Sequence, residues 1–222
     1  MKKILFSLII LPLFLLGNSV FAKEPQNLNE IKMQMKQYHD SGEYERDLAT
    51  VVQDAQKYLA ARVQQNQESH RKLAIVSDID DTALSGYQHL LERDFGGDIK
   101  AIFASLREGN EPAITETLAL YNFAKQHQVA VFFICGRPQS MQAITEKNLK
   151  MAGYNDWNGV FLRPENYNET HKTIVPFKSE MRKKLEEEGY DVVINIGDQY
   201  SDLSGGYADK TFKLPNPFYY IP

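Results

Sequence analysis

Three short apolar runs limit what this 222-residue chain can fold into more than any other feature: Leu73 to Val76 (LAIV), Val129 to Ile134 (VAVFFI) and Val192 to Ile196 (VVINI). Each is too short and too rich in β-branched or aromatic residues for a helix. Each is also apolar at nearly every position, so both faces of the strand it forms must be covered. Helical patterns stand before all three. Leu48, Val51, Val52, Ala55, Tyr58, Leu59 and Val63 recur at three and four residues ahead of the first run, behind a break at Asp40-Ser41-Gly42 that separates a shorter helix. Residues 113–126 precede the second run, and residues 177–188, stopping at Gly189, precede the third. A further helix is expected after the second run, with Pro138 near its first turn and Gly153 just past its end. Strands that alternate with helices predict an α/β fold, a parallel sheet with helices on both faces and a helical N-terminal segment. The stretch from about residue 83 to 112, with Gly86, Gly96, Gly97 and Gly109, fits neither pattern and is expected to be a small cap inserted after the first strand.

The first 22 residues have a different character. Lys2 and Lys3 precede an apolar run from Ile4 to Leu16, and Val20-Phe21-Ala22 supplies small residues suited to cleavage. This predicts a signal peptide at 1–22, a mature domain at 23–222 and a periplasmic or secreted destination. The run is interrupted by Pro12 and falls short of the roughly 20 residues that span a bilayer, so no stable membrane anchor is expected. Loss of two lysines takes the formal net charge from -4 to -6. An acidic chain without a basic stripe is a poor partner for a nucleic acid polymer. A single cysteine, Cys135, excludes an intramolecular disulfide.

In an open parallel sheet, function gathers outside the carboxyl ends of the strands. After the first run comes Asp78-Ile79-Asp80-Asp81-Thr82, after the second Cys135-Gly136-Arg137-Pro138, and after the third Gly197-Asp198-Gln199-Tyr200-Ser201-Asp202. Converging there, these segments bring up to five carboxylates into a small volume, which demands a cation. Ligation by oxygen alone suits Mg²⁺, and the five scattered histidines argue against zinc. Such an ion handles phosphate oxygens, and an aspartate can also accept a phosphoryl group as nucleophile.

These residues resemble the haloacid dehalogenase superfamily, which carries a DxDx(T/V) motif after its first strand, Ser or Thr after its second, a Lys before its last core strand and a GDxxxD-type motif after it. Asp78, Asp80 and Thr82 match the first motif, Gly197, Asp198 and Asp202 the last, and Lys178 the lysine. The run 197–203 (GDQYSDL), the closing 213–220 (KLPNPFYY) and the helix ending at 58–62 (YLAAR) are similar to the secreted acid phosphatases and their plant vegetative storage protein relatives. The resemblance implies a Rossmann-like core and a phosphomonoesterase acting on small phosphate monoesters. It implies that Asp78 attacks phosphorus, that Asp80 first protonates the leaving alkoxide and then deprotonates water, and that Lys178 offsets charge. Mg²⁺ would sit on Asp78, the Asp80 backbone carbonyl and Asp198, with Asp202 beside them. Thr82 would brace the loop, and Asp81 would be a solvated or structural neighbour. Cys135 stands where the family has Ser or Thr, and a thiol is a weak donor; Gly136 and Arg137 are expected to help bind phosphate. Met141 stands where a cysteine-nucleophile phosphatase needs an arginine six residues on, so Cys135 is not such a nucleophile. Tyr87, Phe95 and Phe103 are read as cap core with a possible stacking role. A non-catalytic storage or binding protein is the rival from another class, and a dehalogenase a second rival.

Overall fold

The computed structural model describes residues 23–221; the stretch read as a signal peptide lies outside them. Its sheet is built from β1 (Lys72–Ser77), β2 (Ala130–Pro138), β3 (Gly159–Arg163), β4 (Tyr190–Gly197) and β5 (Lys210–Lys213), all neighbours parallel, in the order β3-β2-β1-β4-β5. The chain builds outward from β1 through β2 to β3, then returns to the other side of β1 for β4 and β5. The order therefore reverses between β1 and β4, and their carboxyl ends border the crevice such a reversal leaves.

Alternation along the strands divides the interior in two. Leu73 and Ile75 of β1 and Val131 and Phe133 of β2 face one core; Ala74, Val76, Phe132 and Ile134 face the other. Helices α1 (Leu28–Asp40) and α2 (Glu43–Ser69) form an N-terminal hairpin, and Leu48, Val52, Ala55 and Leu59 of α2 enter the first core. The segment after β1 carries two short helices, α3 (Tyr87–Glu92) and α4 (Ile99–Leu106), before α5 (Thr115–Gln126). Leu120, Tyr121 and Ala124 of α5 and Leu149 of α6 (Gln142–Met151) share the first core. After β3 and the short α7 (Tyr167–Thr170), α8 (Val175–Glu187) covers the second core with Phe177 and Leu185. A single turn, α9 (Tyr200–Leu203), follows β4.

The three apolar runs are β1, β2 and β4, as expected, and both faces of the sheet are covered. Several local details differ from expectation. Pro138 ends β2 rather than opening a helix, because the strand runs on through Cys135-Gly136-Arg137 past a bulge against β3, and a 3-10 turn at Gln139–Met141 precedes α6. Asn27 caps α1 by accepting the Asn29 amide at 2.9 Å, so the first helix begins at Leu28. The ends of the 83–112 segment are stitched together where Ser85 N donates to Pro112 O and Ile114 N to Ala83 O, both at 2.9 Å. The segment thus leaves and re-enters the core at one point, above the sheet edge that carries the aspartates.

Candidate active site

The end of β1 delivers the first two carboxylates. Asp78 N still donates to Ile196 O of β4 at 3.0 Å, so Asp78 stands at the last rung of the ladder. Beyond it the Ile79 carbonyl accepts the amides of Thr82, Ala83 and Leu84, and Asp81 takes φ 49, a left-handed conformation that Asp tolerates better than most residues. This tight turn leaves Asp80 as the most open carboxylate of the group, its side chain 31% exposed, while Asp78 is buried.

At the end of β4 the backbone must pass very close to a side chain. A Cβ on Gly197 would lie 2.5 Å from the Asp202 Cβ, so only glycine fits. Asp202, on α9, accepts the Gln199 amide with Oδ2 at 2.9 Å in a capping box. Lys178, buried on the first turns of α8, donates to Asp78 Oδ1 at 2.5 Å and to Asp202 Oδ1 at 2.6 Å. Four residues on, Arg182 is fully buried and donates to the carbonyls of Asp202, Ser204 and Gly206, and so holds the loop that carries Asp202.

Asp78, Asp198 and Asp202 each offer a carboxylate oxygen within 4.8 Å of the others, all three buried, against the single ammonium of Lys178. Burial followed by the charge of Asp202 pushes the Asp78 carboxyl well above its ordinary value, and burial raises Asp198 to about 6. Lys178, despite burial, is held above its ordinary value by Asp202 and Asp78. The site is short of positive charge, and its donors are hard oxygens. A divalent cation of the Mg²⁺ class fits that donor set.

Asp80 belongs to a second ion cluster. Its Oδ1 accepts Arg137 Nε at 2.9 Å and Nη2 at 2.6 Å, and its Oδ2 accepts the Cys135 thiol at 3.1 Å. Arg137 Nη2 also donates to buried Glu111 at 2.5 Å. Burial raises the Asp80 carboxyl, but the Arg137 charge and hydrogen bonds outweigh it and hold the group below its usual range. Burial pushes the Cys135 thiol up.

The structure thus brings together Asp78, Asp80, Lys178, Asp198, Asp202, Cys135 and Arg137 at one edge of the sheet, beside a cavity of about 950 Å³. One expectation changes. Arg137 does not present a free guanidinium for phosphate; it is 2% exposed and bridges Asp80 and Glu111. The Asp80 carboxylate bonds Arg137 and Cys135 and is not among the three carboxylates that approach one another. Asp81, read as a solvated or structural neighbour, is buried, accepts the Gly86 amide at 2.8 Å, and is raised to about 8 by burial. Thr82 braces as expected, donating to Asp198 Oδ1 at 3.0 Å. Gly136 lines the cavity and its carbonyl accepts Arg163 Nε at 2.7 Å. Phe103 lines the cavity, whereas Tyr87 is buried and stacks on His39 with ring centroids 3.4 Å apart. Sequence reasoning missed Glu111, Arg163 and Asn216. Glu111 and Arg163 carry no local pattern; Asn216 lay in the closing motif but had no role attached.

Comparison with known proteins places the chain in a family. A family model described as HAD superfamily, subfamily IIIB (Acid phosphatase) matches residues 16–222. The chain is 38% identical over 193 residues to the stem 28 kDa glycoprotein of Glycine max, covering 84% of this chain and 73% of that protein. It is 33% identical to vegetative storage protein 1 of Arabidopsis thaliana, over 82% of this chain and 67% of that one. To acid phosphatase 1 of Solanum lycopersicum it is 35% identical, over 66% of this chain and 58% of the relative. Among solved structures, the Class C acid phosphatase from Bacillus anthracis superposes with a TM-score of 0.69 at 20% identity, over 86% of each chain, which is a likeness of fold. The chain belongs to the haloacid dehalogenase superfamily, subfamily IIIB, the acid phosphatases.

Proposed function

We propose that this protein hydrolyses small phosphate monoesters through a covalent aspartyl phosphate on Asp78, with Mg²⁺ at the Asp78, Asp198 and Asp202 carboxylates and the Asp80 carbonyl, and that it acts after export. The observation that carries the proposal is the pairing of buried Asp78 with Lys178 at 2.5 Å within a three-carboxylate cluster that has too little positive charge. When bound, the cation supplies neutralisation of the phosphoryl oxygens and of the carboxylates around them.

An Asp78 carboxylate oxygen forms a bond to phosphorus as the ester oxygen leaves. The Lys178 ammonium keeps the nucleophile oriented and offsets charge on the phosphoryl oxygens as it redistributes. Asp80, the open carboxylate, gives a proton to the departing alkoxide. It then takes a proton from the water whose oxygen attacks phosphorus, and the Asp78–phosphorus bond breaks to release phosphate. Arg137 and Cys135 orient Asp80 for both tasks. Because Arg137 favours the ionised Asp80, the resting site is poised for the second half, and acidic medium supplies the proton for the first.

Export rests on the pattern of residues 1–22; among the described residues no helix is long and apolar enough to cross a membrane. A weakly catalytic protein of storage type is the second reading, favoured by the similarity to vegetative storage protein 1 and by the thiol at position 135. Assay of the protein on a panel of monoesters, with Mg²⁺ and with chelator, separates the two. Hydrolysis that requires the metal is expected; turnover that is unaffected by chelator, or absent from every ester, would contradict the proposal.

A further inference from the structure

The candidate cation ligand Asp198 is itself held, and its holder is a segment with no part in the chemistry above. Asp198 Oδ2 accepts Gln199 Nε2 at 2.8 Å, Asn216 Nδ2 at 2.6 Å and the Tyr219 hydroxyl at 3.4 Å. Oδ1 accepts the Thr82 hydroxyl alone at 3.0 Å. A carboxylate has about two lone-pair directions on each oxygen. Oδ2 is therefore saturated, and Oδ1 is the oxygen with room for a cation.

Asn216 is fixed in this pose by its own turn. Its Oδ1 accepts the Phe218 amide at 2.9 Å and the Tyr219 amide at 3.3 Å, so its amide nitrogen is left to face Asp198. Pro215 and Pro217 flank it and restrict the backbone on either side. The segment is tied down at both ends. Leu214 N donates to Gly197 O at 2.9 Å, directly before Asp198. Phe218 is buried against Tyr87, Tyr44 and Phe95, at centroid distances of 5.2, 5.4 and 6.0 Å, and thus wedges between the N-terminal hairpin and the 83–112 segment. Ile221 N and O bond Gln199 and Ser201. An amide also suits the task chemically. A lysine here would compete with the cation for the carboxylate, whereas a neutral donor orients it without adding charge.

We propose that residues 214–221 form a clasp on the metal site, and that Asn216 is a positioning residue that sets which oxygen of Asp198 faces the cation. The proposal rests on the metal-site reading above. It is tested on the full chain by titration calorimetry with Mg²⁺ alone and by melting in chelator, comparing wild type with Asn216→Ser. That variant offers a turn acceptor, adds no charge and cannot reach Asp198. Its Mg²⁺ dissociation constant is expected to rise about 10–100-fold, with the metal-free melting temperature within about 4 °C of wild type. Phe218→Leu, which loosens the anchor without touching Asp198, is expected to weaken Mg²⁺ in the same direction. If Asn216→Ser does not fold, Asn216→Thr, which offers the same kind of turn acceptor, serves in its place. A folded variant that binds Mg²⁺ as wild type does would overturn the role of Asn216. Failure of both variants to fold would also overturn it, by assigning Asn216 to the fold alone. Wild type that binds no divalent cation would instead bring down the metal-site reading.

Discussion

Lys178 reaches two carboxylates at once, and that double contact explains why a fully desolvated lysine is tolerated where burial alone would favour its neutral form. Three buried acids gather at this one ammonium, however, so the metal-free site relieves the excess charge by keeping protons, which a cation would replace. Asp80 shows the opposite balance, with one arginine serving it and Glu111. At Cys135 the family's hydroxyl is replaced by a thiol whose one proton is spent on Asp80 Oδ2. Cys135→Ser keeps a donor there and is expected to hold kcat or raise it a few-fold, whereas Cys135→Ala, which removes the donor, is expected to lower kcat by about tenfold, or roughly 1.4 kcal/mol. Steady-state kinetics on one aryl phosphate decides the matter. Asp78, Asp80, Asp198 and Asp202 were legible in the sequence because they follow directly on apolar runs, whereas Lys178 was singled out only through the resemblance to the family's motifs. The role of Arg137 was not legible, because its partner Glu111 lies 26 residues away in a segment without periodicity.

Helix α8 does more than cover the sheet. It points Lys178 into the carboxylates and, one turn later, Arg182 into the loop that bears Asp202. Arg182 serves three carbonyls; that of Asp202 keeps Asn195 Nδ2 at 3.0 Å, but those of Ser204 and Gly206 lose their donor in Arg182→Met. With about 1–3 kcal/mol for each orphaned polar group, the variant is expected to lose roughly 2 kcal/mol or more in urea unfolding. Lys184→Met, exposed on the same helix, is expected to change little. Strands β1, β2 and β4 could be read from their continuous apolar residues, which burial on both faces imposes. Strands β3 and β5 could not. They are edge strands, and β5, Lys-Thr-Phe-Lys, buries only Phe212, so no run of apolar residues announces it.

The molecule as a whole concentrates its electrostatic strain at one sheet edge, and this governs its response to pH. Burial holds Asp78 well above its ordinary value, Asp198 at about 6 and Asp81 at about 8. Unfolded carboxyls ionise near pH 4, so between about 4 and 8 the metal-free folded chain keeps protons that the unfolded chain has released. Stability must then fall as pH rises through that window, by up to about 1.4 kcal/mol per pH unit for each retained proton. The metal-free protein is expected to melt higher at pH 5 than at pH 8, and saturating Mg²⁺ to narrow the difference; Asp80, whose carboxyl is lowered, stabilises the fold throughout that window and loses its contribution only as pH falls below about 4. The central claim is that Asp78 carries the phosphoryl group. It is tested most directly by acid-quenching Asp80→Asn during turnover of an aryl phosphate whose leaving group needs no proton, followed by peptide mass spectrometry. The account predicts a single phosphoryl adduct on Asp78, absent when Asp78→Asn is added; turnover with no adduct, or an adduct on any other residue, would contradict it.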